Sequence, residues 1–229
     1  VRRSKSAQLG GATQFYSTIP WMVHRLLAVA ELPLGNWIEP GFGTGGIMRA
    51  VHSFWGHGEA IQWDGVELDD RIYEAGTRRI AASGMTATLR QGDFLSMDPP
   101  KRLFDCAIMN PPNDLAEEFI TKALSIARGV VCLQPMQVYF GSGRDGFFER
   151  SGLTDIYALP DRPKFRGSES ALQPYAWFVF RRSHRATATI RRLANTSKEI
   201  RAAQLDDANR EIADDFPAES EEAREVAAE

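Results

Sequence analysis

Short apolar runs bounded by turn residues alternate with segments of helical period from Trp21 to Phe180. Trp21, Leu26, Leu27 and Ala30 share one helical face. Thr18 can cap that helix, Pro20 suits its first turn, and Pro33 places its end near Glu31. Trp37-Ile38-Glu39 reads as a strand running into glycines and then a helix over about 45–54. Ile61 to Glu67 is a second strand, followed by a helix over roughly 70–82 that Asp69 can cap and Gly84 can close. Ala87 to Phe94 is a third strand and its exit, and Cys106 to Met109 is a fourth. Asp114, with Glu117 three residues on, opens a helix over about 115–128. Val130–Leu133, Leu153–Leu159 and Pro174–Phe180 complete seven strands. Beyond Arg182 the chain turns polar; 190–213 has sparse helical periodicity, and disorder is expected from Asp214.

The 229 residues are 43% hydrophobic and 25% charged, which suits one domain with an ample core. Residues 196–229 carry 4 Lys/Arg against 11 Asp/Glu, so an acidic tail hides a mildly basic body that permits a polyanionic partner. The expected organisation is a mobile basic start (1–14), a main domain (15–183) and a polar to acidic tail (184–229), partly helical or disordered. Cys106 and Cys132 lie in apolar runs and read as reduced core thiols, with no Cys or His at metal-ligand spacing beside them. His24, His52, His57 and His184 have no catalytic partner at readable spacing. No run approaches the ~20 apolar residues of a membrane span, and Val1-Arg2-Arg3 opens no apolar signal segment. A cytoplasmic setting is expected.

Candidate chemistry gathers at strand ends, where open α/β sheets place ligands. The fourth strand stops at Asn110-Pro111-Pro112-Asn113, and two prolines take the chain out of the sheet on a stiff path. The Asn110 carboxamide and the Pro111 carbonyl can both accept from an amino group. Glu39-Pro40-Gly41-Phe42-Gly43-Thr44-Gly45 combines an acid with glycines that let a ligand approach the backbone. The spacing is not that of dinucleotide folds. Glu67, with Leu68 beside it, can accept both hydroxyls of a ribose. Asp93 can accept from an adenine amine or serve a turn, and Phe94 can stack on a ring. Phe15 and Tyr16 suit either the core or a ligand pocket. The Arg162-Pro163-Lys164-Phe165-Arg166 loop suits either phosphate contact or solvent.

The ordered set of glycine loop, Glu67, Asp93-Phe94 and Asn110-Pro111-Pro112 resembles the class I S-adenosylmethionine-dependent methyltransferases. Within them it looks like the DNA N6-adenine type, particularly compact phage and plasmid enzymes, through Tyr16–Trp21, Leu115-Ala116-Glu117-Glu118-Phe119 and Tyr175-Ala176-Trp177-Phe178. The resemblance covers about residues 15–182. It implies a Rossmann-like α/β fold: a seven-stranded, mostly parallel sheet with an antiparallel last strand and helices on both faces. It also implies S-adenosyl-L-methionine as cofactor. Phe15, Thr18, Glu39, Pro40, Gly41, Gly43, Gly45, Glu67, Leu68, Asp93, Phe94 and Asn110 would line it. Asn110, Pro111, Pro112 and Asn113 would form the catalytic motif, and the partner would be nucleic acid, DNA first.

Asn113 departs from the family, which usually has an aromatic there to stack on the extruded base. Such stacking is worth roughly 1–3 kcal/mol. Asn113 can instead cap the next helix, with Phe140 or Phe165 supplying the ring; otherwise the target is not a flipped adenine or activity is weak. No segment is long enough for a separate target-recognition domain. Methylation of an RNA base or a protein glutamine, and a non-catalytic cofactor- or DNA-binding role, are the alternatives.

Overall fold

Eight strands form one sheet among the described residues of the computed structural model, which are 17–56, 61–140, 146–163, 173–182 and 187–216. They are β1 (Gly35–Pro40), β2 (Ile61–Glu67), β3 (Ala87–Gln91), β4 (Phe104–Met109), β5 (Ala127–Pro135), β6 (Leu153–Ala158), β7 (Tyr175–Arg181) and β8 (Thr189–Arg192). The order is β3-β2-β1-β4-β5-β7-β6-β8. Only β7 runs against its neighbours. The helices are α1 (Pro20–Leu27), α2 (Gly46–Trp55), α3 (Asp70–Ala82), α4 (Ala116–Ile126), α5 (Phe147–Arg150) and α6 (Lys198–Asp215).

Continuous apolar runs suit strands covered on both faces. Trp37, Cys106, Ile108, Val131, Leu133, Trp177 and Val179 face α1 and α2 in one core. Their alternates Ile38, Ala107, Met109, Val130, Cys132, Phe178 and Phe180 face α4 in the other. Burial pushes both cysteine thiols up, so they stay protonated. Chain order reverses between β1 and β4, which leaves a crevice above their carboxyl ends.

Four readings are corrected. The sheet has one strand more than seven. β8 pairs in parallel with β6 where the sequence predicts the start of a helix, and Thr189-Ile190 supplies the β-branched residues a strand favours. Helix α6 starts only after Ser197, whose hydroxyl accepts from the Ile200 amide. Helix α1 has Ile19 at its cap position and ends at Leu27, short of Glu31. Helix α4 has no side-chain cap: a 3₁₀ turn, Asn113–Leu115, precedes it, and the Leu115 amide donates to the Pro112 carbonyl at 3.0 Å. Neither Asn113 nor Asp114 therefore caps it.

Helix α6 lies across the helices that follow β1 and β2. Arg49 of α2 makes a paired contact with Glu211 at 2.9 and 2.7 Å, and Arg79 of α3 bonds Asp215. Ile212 and Phe216 pack on Ile72 and Ala75, with the Arg71 guanidinium 5.5 Å above the Phe216 ring.

This cluster is small and separate from the two main cores. Phe216→Ala should cost roughly 3 kcal/mol of local stability, the low end for a buried phenylalanine. Amide exchange should rise along α6 while β4 and β5 keep their protection. An equal rise in all three would show that α6 belongs to the cooperative core.

Candidate active site

The chain leaves β1 through Glu39 and Pro40 into a loop with three left-handed glycines: Gly41, Gly43 and Gly45, at φ 65°, 57° and 76°. The Gly41 amide donates to the Val66 carbonyl of β2 at 2.7 Å. A side chain on Gly41 would meet no atom within 4 Å, so the loop opens outward there. Behind it packing is close: a Cβ on Gly76 of α3 would lie 2.2 Å from the Gly43 carbonyl oxygen.

Two buried carboxylates hold this loop. Glu67, at the end of β2, accepts from the Gly43 amide through Oε2 at 2.9 Å, and from Leu68 and Asp69 through Oε1 at 2.8 and 3.1 Å. Glu39 is 2% exposed, and its Oε2 accepts from the Met48 amide at 3.0 Å. That amide is one of the unpaired donors in the first turn of α2, where the helix dipole favours negative charge. Burial nevertheless raises the Glu39 carboxyl well above its usual range; the Glu67 charge adds to this, while the Met48 bond and Arg49 oppose it. Burial also raises Glu67, against its three amide bonds.

Asn110 stands just past β4, across the crevice. Its Nδ2 donates to the Thr18 hydroxyl at 3.1 Å, which leaves Oδ1 as an acceptor. Ser17, Thr18, Glu39, Gly41, Gly43 and Asn110 line one cleft.

The other sequence-derived candidates are dispersed. Pro40 is buried in the strand, and Gly45 turns toward Ile80. Leu68 is 61% exposed at the end of β2. Asp93 accepts from the Leu95 amide at 2.9 Å and the Ser96 hydroxyl at 2.8 Å, closing a 3₁₀ turn. Phe94 is buried, with its ring 5.2 Å from Phe119. The Pro111 carbonyl accepts from the Gln134 amide at 3.1 Å, while Pro112 and Asn113 are exposed. Phe15, Tyr16, Phe165, Lys164 and Arg166 lie outside the described residues, as does the side chain of Phe140; Arg162 is exposed.

Sequence reasoning missed Ser17, Gln134 and Gly76. Gln134 carries a faint signal, as an amide closing the apolar run Val130–Leu133. Gly76 carries another, as a glycine inside an otherwise regular helix.

No protein-family model matches the sequence, and no curated protein does. Solved structures share the fold. A methyltransferase subunit of a type I restriction-modification system from Streptococcus thermophilus superposes with TM-score 0.61 at 13% identity, over 86% of this chain and 53% of its own. A protein assigned to the class I S-adenosylmethionine-dependent methyltransferases, from Listeria monocytogenes, gives 0.58 at 14%, over 84% and 68%. The 23S rRNA methyltransferase ErmE gives 0.57 at 15%, over 75% and 71%. The chain thus spans about half of the restriction-modification subunit and about two thirds of the Listeria protein. The architecture is the Rossmann-like methyltransferase fold.

Two measurements test this description. Gly76→Ala should lower stability by about 1–3 kcal/mol through overpacking, despite the ~1 kcal/mol that alanine contributes to a helix interior. A rise in urea midpoint would refute the contact with Gly43. Glu39→Gln keeps an acceptor for the Met48 amide and removes the cost of ionising a buried acid. A carboxyl raised in the folded state favours folding below its unfolded value of 4.5 and loses that advantage as pH rises through its folded value. The variant should therefore match the parent near pH 4 and melt higher at neutral pH. A gap that does not change with pH would contradict the assignment.

Proposed function

We propose that this chain is an S-adenosylmethionine-dependent N-methyltransferase, acting on an exocyclic amine, with N6 of adenine in DNA the best-supported target. The observation that carries this reading is the shared cleft: the Asn110 carboxamide and the glycine loop face one crevice at the point where strand order reverses.

The residues present fit the cofactor. The open side of Gly41 admits a ligand against the backbone. A carboxylate has about four lone-pair sites, and the three amide bonds on Glu67 leave one for a ribose hydroxyl. Asp93 keeps a free lone pair on each oxygen for an adenine amine. Phe94 packs in the core, so exposed Leu68 is the better apolar surface for the adenine ring. Glu39, Gly41 and Gly43 would hold the methionine part. When bound, the cofactor supplies a methyl group on a positively charged sulfur, ready for displacement by nitrogen.

The protein's part is orientation and electrostatics. Thr18 fixes the Asn110 amide so that Oδ1 is the free acceptor. The Pro111 carbonyl retains one lone pair beside its bond from Gln134. Together they would hold the two amine hydrogens and turn the nitrogen lone pair toward the methyl carbon. Both oxygens would stabilise the positive charge that an amine nitrogen gains on accepting a methyl group, before its proton is lost to water.

The DNA assignment draws on the restriction-modification subunit that shares the fold and on the basic body of the chain. ErmE keeps an RNA base in view. Methyl-labelled cofactor incubated with DNA, RNA and protein pools separates these substrates. Label should enter DNA adenine. Asn110→Ala should reduce transfer about a hundredfold or more, the scale for removing one preorganised polar contact, with cofactor affinity retained. Label in glutamine or in RNA would move the assignment to that polymer. Bound cofactor with no incorporation would make the chain a binding module.

A further inference from the structure

Gln134 is the one fully buried amide at the catalytic end of the sheet among the described residues, at 0% exposure. It sits near the end of β5, two residues past the Met109–Cys132 pair of β4 and β5, which puts it opposite Pro111. On its other side it pairs with Ala176 of β7. Its Nε2 donates to the Pro111 carbonyl at 3.1 Å. Proline has no N–H and its carbonyl can only accept, so the amide orientation is dictated: the NH2 must face Pro111. Its Oε1 then has no hydrogen-bond partner among the described residues.

An unpartnered buried amide oxygen destabilises the fold, and an apolar side chain of the same length would avoid that cost. Its strand partner Ala176, and Cys132 and Phe178 on the same face of the sheet, are buried and apolar, so packing does not call for an amide here. What the amide does is tie down one carbonyl, that of the residue following Asn110. Two successive prolines stiffen the chain there but supply no donor of their own. The Pro111 oxygen would otherwise be free to tilt with its peptide plane.

The geometry points to Gln134 as a positioning residue for amine recognition. It occupies one lone pair of the Pro111 carbonyl and aims the other at the target nitrogen. This inference rests on the proposed amino-methyl transfer, and it adds a third member to the Asn110–Pro111 pair. Gln134 acts through Pro111 and need not touch the substrate.

The test measures recognition of the amine by binding. The full-length protein, loaded with S-adenosylhomocysteine, is titrated by NMR with deoxyadenosine monophosphate and with the purine analogue that lacks the 6-amino group. The parent protein should prefer the amine by about tenfold, the size of one to two net hydrogen bonds. Gln134→Met, close to isosteric and without polar atoms, should lower the ratio to about threefold, because the Asn110 Oδ1 acceptor remains. It should leave S-adenosylhomocysteine affinity unchanged and melt no lower than the parent. A merely structural amide would show the reverse, a lowered melting temperature with the preference kept. If Asn110→Ala lowers the preference and Gln134→Met leaves it at the parent value, the inference fails while the methyltransferase reading stands. If the parent itself shows no preference, both fall.

Discussion

The candidate site depends on one carboxylate accepting three backbone amides. Glu67 joins the end of β2 to the glycine loop that follows β1, and the two strands are already paired along their length. A left-handed glycine loop has high conformational entropy when free. The Gly43–Glu67 bond, the Gly41–Val66 bond and the close seat of Gly43 on Gly76 remove that freedom before any ligand arrives. Charge-assisted bonds to backbone amides are among the stronger ones available. Glu39 accepts one further amide, that of Met48, in the first turn of α2. Two acids thus shape a surface that the glycines alone would leave undefined.

This has an electrostatic consequence. Both carboxyls are raised by burial, and each is lowered by the amides it accepts. The loop is therefore held by groups whose charge costs something to keep inside the protein. A ligand with positive charge near Glu39 would offset that cost; a water-filled cleft offsets it less. Binding and pre-organisation draw on the same pair of side chains.

Much of the frame was legible in the chain itself. The strand Ile61–Glu67 and the helix Asp70–Ala82 appear with the bounds expected, because a strand ending in an acid, an Asp cap and a closing Gly84 are local signals. The placement of Asn110 at the end of β4 followed from an apolar run stopped by two prolines. Features made by distant partners were not legible. Thr18 reads as a helix cap in isolation, yet its hydroxyl is taken by Asn110, 92 residues on. Strand β8 depends on pairing with β6, more than thirty residues earlier, and four exposed residues show no alternating core face. The bond from Gln134 to Pro111 has no sequence signature beyond an amide in an apolar run. Asp93 was open between a ligand contact and a turn, and only the Leu95 and Ser96 bonds show that it closes the turn.

Strand β8 also changes what the sheet presents to its surroundings. Without it, β6 would form that border, and most of its residues are buried and apolar. With it, the border is four residues long and ends in Arg191 and Arg192, both exposed. Short, positively charged borders resist pairing of one molecule's sheet edge with another's. The late addition to the sheet thus replaces a mostly buried, apolar border with a short basic one, the kind that discourages edge-to-edge association.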